Sequence, residues 1–221
     1  MMMTREHGDI AKAPFKWRKL ITSVLIGGVA GFLAASGFMQ LVDSEALGRL
    51  NASREIAGLV GILYLMTGAF VGIGAINPGV GARFLNVEDA DELREQRKVL
   101  GLSALGMIAF GAVLVILALA APIGPIPPGF ALAGVIALMV FSSITGARQT
   151  RLTDELMKAV SRESTSLAFY LLFLFGGGWA ALAHLGYAAG PAMLDWITMF
   201  AALMLISAFW VCGRRGMLMP R

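Results

Sequence analysis

The chain has 221 residues, of which 57% are hydrophobic and 14% charged, with a net charge of +4. A water-soluble domain cannot cover that much apolar surface with so few polar groups. The composition therefore excludes a soluble enzyme or binding module, and the basic surplus reads as membrane topology instead of nucleic-acid binding.

Residues 1–19 form a mixed-charge tail broken by Pro14, in which Ile10, Phe15 and Trp17 suit the headgroup layer. Six apolar runs follow: Leu20–Val42, Ala57–Ile76, Val99–Ala121, Phe130–Ala147, Ser166–Tyr187 and Ala192–Cys212. A membrane-spanning helix needs about 20 such residues. Stretches such as Val113-Leu114-Val115-Ile116-Leu117 do not alternate as barrel strands do. A helix also satisfies its own backbone inside lipid. The expected fold is an all-α bundle of six transmembrane helices, a single domain over 20–213, with a short tail at 214–221.

The first run follows Lys16, Arg18 and Lys19 and contains Ala34-Ala35-Ser36, as cleaved leaders do. It stays apolar through Val42, so an uncleaved helix is expected. In the next connection, Asp43 or Ser44 is expected to cap a short helix, with Glu45 and Arg49 as i,i+4 partners. Asn51-Ala52-Ser53 spells a glycosylation sequon, read here as coincidence. Asn77-Pro78-Gly79 reads as a helix stop and turn.

Two charged connections resemble each other. One runs Gly81-Ala82-Arg83, Asp91-Glu92-Leu93, then Arg94, Arg97 and Lys98. The other runs Gly146-Ala147-Arg148, Asp154-Glu155-Leu156, then Lys158 and Arg162. Acids suit a helix N-terminus, which predicts helices beginning near Asp89 and Thr153, before the lipid is reached. The similarity predicts a parallel hairpin repeat, 57–121 and 130–187. The connection from Pro122 to Gly129 is uncharged and proline-rich, and predicts a stiff turn. Gly176-Gly177-Gly178 marks a kink, a close crossing or a slot for a small ligand.

Of the 18 Lys and Arg residues, only Arg49 and Arg54 fall in one set of alternate gaps. The richer side is expected to be cytoplasmic, with both termini there and the protein in a bacterial inner membrane. Small residues line up at Ser23, Gly27, Gly31 and Ala35, at Gly68 and Gly72, and at Ala168, Gly176 and Ala180. Such stripes let membrane helices approach closely. They are expected to pack within the chain, with a homodimer seam on the first helix as the alternative.

No Asp, Glu, Lys or Arg lies at the centre of a run, which argues against a midplane proton relay and excludes a Schiff-base lysine in a helix core. Two histidines supply neither paired haem ligands nor a zinc cluster, so no cofactor or metal is expected. The lone Cys212 reads as a packing residue. The candidate outer-face polar cluster is His184, Asp195, Glu55, Arg54 and Asp43, where a His–Asp pair could act as a general base. Candidate interaction residues in the charged hairpins are Arg83, Asp91, Glu92, Arg94, Arg148, Asp154, Glu155 and Lys158. No residue is assigned as catalytic. The leading expectation is a non-enzymatic accessory, scaffold or regulatory membrane protein. The alternatives are a small-solute or lipid transporter and then an outer-face enzyme. The expected partners are the bilayer, other membrane proteins or a second copy of the chain, and not nucleic acid.

Overall fold

Each apolar run folds into a helix that starts and stops where neighbouring residues satisfy its end groups. The computed structural model describes residues 17–44, 50–84 and 90–218, and within them the side chains other than those at 17–20, 22, 23, 83, 84 and 90. The helices are α1 (Trp17–Asp43), α2 (Ala52–Ile76), α3 (Pro78–Phe84), α4 (Ala90–Ala118), α5 (Pro128–Leu152), α6 (Glu155–Leu172), α7 (Gly178–His184) and α8 (Met193–Arg214). A π turn at Phe173–Gly177 joins α6 to α7 in one continuous rod. Six helices, counting that rod as one, are long and apolar enough to cross a membrane. Among the described residues there is no strand.

The helix starts follow local chemistry. Asn51 caps α2, its side chain accepting from the Arg54 N–H at 3.1 Å, so the sequon's asparagine has a structural use. Asp154 caps α6 through the Met157 N–H at 2.7 Å. Helix α6 begins two residues beyond Thr153, the position expected from its acids, and the start expected for α4, Asp89, lies outside the described residues. Two expectations need correction or fall outside view. Asn77-Pro78-Gly79 is more than a stop: Asn77 closes α2 by donating to the Ile73 carbonyl, and Pro78 opens α3. Proline suits a first helical position because the missing N–H would have no partner there. Asp43 ends α1, and the short helix expected after Asp43 or Ser44, with its Glu45–Arg49 pair, falls on 45–49, outside the described residues.

The helices pack in the order α5, α4, α2, α8, α6, with α1 laid against α2. The order departs from the chain order. Only Thr153 and Asp154 separate α5 from α6, yet these two share almost no contact and stand at opposite ends of the row. The two members of the first proposed repeat copy, α2 and α4, are closely packed, whereas those of the second, α5 and α6, are apart.

Glycines make the α2–α4 approach possible. A Cβ added at Gly61 would lie 2.9 Å from the Gly111 carbonyl oxygen, and one at Gly111 2.7 Å from that of Gly61. Gly68 repeats the pattern against Ile108, at 2.8 Å. Lipid is as apolar as leucine, so this close approach, not hydrophobicity, drives the pairing. Tyr64 then ties α2 to α8, its hydroxyl donating to the Ala201 carbonyl at 2.9 Å. Its ring meets Phe110 of α4 edge-on at 5.2 Å, and Phe110 meets Phe200 of α8 at 6.5 Å. Large apolar side chains face outward, among them Phe32 (72% exposed), Phe130 (77%) and Phe173 (73%). Such a surface is a liability in water and suits lipid. The chain is a multi-pass membrane protein.

The glycine triplet resolves as a close crossing. Gly176 is buried, and a Cβ there would lie 2.8 Å from the Trp196 ring on α8. The π turn carries Gly176 past that ring.

Candidate functional site

The two ends of the bundle differ in charge. At the bare end sit Asp43, Arg54, Glu55, His184 and Asp195, and at the basic end the charged hairpins. At the bare end, the first turns of α2 and α8 lie side by side because both helices begin there. Asp195 accepts from the Ser53 hydroxyl at 2.5 Å through one carboxylate oxygen and from the Ala192 N–H at 2.6 Å through the other. The first bond staples α8 to α2, and the second caps α8.

Arg54 is also structural. Its Nη1 donates to the carbonyls of Ala118 at 3.0 Å and Ala120 at 2.5 Å. The first is a carbonyl at the C-terminus of α4, where a cation also complements the helix dipole, and the second, just beyond, also accepts from the Gly124 N–H at 3.2 Å. The loop beyond is tight: Ala121 N–H donates to Ile126 O at 2.8 Å and Ile126 N–H to Leu119 O at 3.0 Å. Gly124 is obligatory there, because a Cβ would lie 2.1 Å from the Leu119 oxygen.

Asp43 is exposed at the end of α1, and Glu55 sits in the first turn of α2, where a negative charge suits the free N–H groups. His184 is exposed in the last turn of α7. Among the described residues His184 and Asp195 form no ion pair, and both oxygens of Asp195 have other donors. The structure thus assembles Ser53, Arg54 and Asp195 into a fastening and leaves His184 outside it. No group of three or more His, Cys, Asp or Glu that could hold a metal occurs among the described residues.

At the basic end the acids are taken up locally. Arg94 pairs with Asp91, and Gln96 donates to Glu92 at 3.2 Å. Lys158 pairs with Glu155 at 2.8 Å, with Arg162 at 3.9 Å from the same carboxylate. Arg215 reaches Glu163 at 2.7 Å and so joins the basic ends of α8 and α6. Exposed pairs of this kind contribute little to stability, because water screens them. Arg148 is exposed near the end of α5, and the side chain of Arg83 lies outside the described residues. The two hairpins meet where α4 packs on α5, which brings Arg97 and Lys98 of the first beside Arg148 and Arg151 of the second, whereas the α6 arm of the second stands apart, beyond α2 and α8.

Sequence reasoning missed Tyr64 and Ser53. The signal for Tyr64 was a lone phenol deep in an apolar run, a group that needs a partner when buried. Ser53 carried none beyond its place in a first turn. Two open grooves mark the surface. One, with largely apolar walls, is lined by Leu63, Leu205, Ile206, Phe209 and Trp210. The other, at the basic end, is lined by Arg97, Lys98, Gly101, Leu102, Leu105, Arg148, Arg151 and Leu152. No protein-family model, curated protein or solved structure matches the chain.

Proposed function

We propose that this protein is a non-enzymatic accessory, scaffold or regulatory subunit of a bacterial inner membrane, with its basic end and both termini in the cytoplasm. It recognises a partner membrane protein through α1. One observation carries the reading. A Cβ added at Gly27, Gly28 or Gly31 would meet nothing within 4 Å. Helix α1 rests on the bundle through Phe38 and Val42 near the bare end and touches α3 near the other. Between these points Gly27, Gly28 and Gly31 have open space before them, and a glycine stripe is the feature that lets a foreign helix approach closely.

The transporter and enzyme alternatives find less support. The groove along α2 and α8 offers apolar walls, and the Asp195 carboxylate is engaged by Ser53 and Ala192. The test is purification in mild detergent with mass spectrometry of co-purifying proteins, wild type beside the double variant Gly27→Leu/Gly31→Leu. A stoichiometric membrane partner that the variant loses supports the proposal. A monodisperse chain without partner that moves a solute in liposomes overturns it in favour of transport. Self-association lost in the variant makes the partner a second copy. Orientation has its own check: cysteines at Ser44 and Ser161 should label from opposite sides, with Ser161 cytoplasmic.

A further inference from the structure

We propose that the groove between the basic ends of α4 and α5 is a binding site for one anionic phospholipid. The groove has a volume of about 700 Å³ and is lined by four cations, Arg97, Lys98, Arg148 and Arg151, and by no carboxylate. Of the surrounding acids, Asp91 pairs with Arg94, Glu155 pairs with Lys158, and Asp154 caps α6. Among the described residues the four cations have no ion pair or side-chain hydrogen bond. Four like charges converging on one groove repel each other, and an anion between them relieves that repulsion. Guanidinium groups match the planar two-oxygen face of a phosphate.

The depth profile selects a lipid over a soluble anion. Arg97 and Lys98 immediately precede the apolar run that opens at Val99, and Arg148 follows the one that closes at Ala147. The cations therefore stand at headgroup level. Below them the wall is Gly101, Leu102 and Leu105. Leu105 lies about 10 Å further along the helix than Lys98, at about 1.5 Å per residue. Leu105 is half-exposed, and a Cβ at Gly101 would meet nothing within 4 Å. A headgroup phosphate on the rim with an acyl chain running over Gly101 and Leu105 uses the whole groove, whereas free phosphate uses the rim alone. Basic pockets between transmembrane helices hold anionic headgroups by the same chemistry. The site requires membrane insertion and is independent of what α1 binds.

The experiment is native mass spectrometry and equilibrium binding of the delipidated full chain with phosphatidylglycerol, phosphatidylcholine or inorganic phosphate. One phosphatidylglycerol should be retained in preference to phosphatidylcholine. Arg148→Gln/Arg151→Gln should weaken it roughly 25-fold, at roughly fivefold per cation. Gly101→Phe, which fills the groove and leaves every charge, should also release it, while Arg162→Gln/Arg214→Gln at the far side should not. Helix content by circular dichroism confirms that each variant is folded. Equal retention of the two lipids overturns the proposal. So does retention by Gly101→Phe, which would reduce the effect to diffuse surface charge. Complete displacement by millimolar phosphate overturns it as well, by making the site one for a small anion.

Discussion

Two glycine stripes in this molecule have opposite surroundings. Along α2 and α4, Gly61, Gly68 and Gly111 lie so close to the facing helix that an added methyl would overlap it. Along α1, Gly27, Gly28 and Gly31 face open space. The residue type is shared. A stripe thus marks a surface capable of close approach, and says nothing about which helix approaches it.

Four substitutions test that contrast, in order of falling effect on the isolated chain in detergent. Gly61→Leu should be the most damaging, because its side chain must displace the α4 backbone. Overpacking of this kind costs about 3 kcal/mol, read as a large drop in unfolding temperature or loss of a monodisperse peak. Gly176→Ala should cost about 1–2 kcal/mol, since the added methyl strikes the Trp196 ring, which must shift. Trp fluorescence should report the shift together with the loss of stability. Gly58→Ala should cost about 1 kcal/mol, because the atom it meets is the tip of the Phe38 ring, which can swing aside. Its stronger signature should be greater protease access to α1. Gly27→Leu should leave unfolding of the isolated chain within about 0.5 kcal/mol of wild type while abolishing partner binding. If it destabilises the chain as much as Gly61→Leu, the contrast collapses and α1 is an internal helix.

Much of the fold was legible because it is one-dimensional. The six spans, the early starts of α4 and α6 and the close crossing at Gly176 follow from apolar length, from acids at helix N-termini and from small residues. Pairing was not legible. Nothing local in Thr153-Asp154 reveals that the helices on either side part instead of forming a hairpin. Of the site residues, the roles of Arg54 and Asp195 as cap and staple were not legible, because they depend on Ala118, Ala120 and Ser53, which lie far away in sequence.

The sequence by itself determined that this chain lives in a membrane, how many helices cross it and which ends carry the positive charge. The reason is that every backbone group in lipid must be satisfied within its own segment, so length and hydropathy suffice. Only the tertiary structure decided which glycine faces are used, which cations remain unpaired and which carboxylate is engaged. Those outcomes depend on steric fit between surfaces brought together in space, and lipid supplies no hydrophobic gradient that would encode the choice in composition.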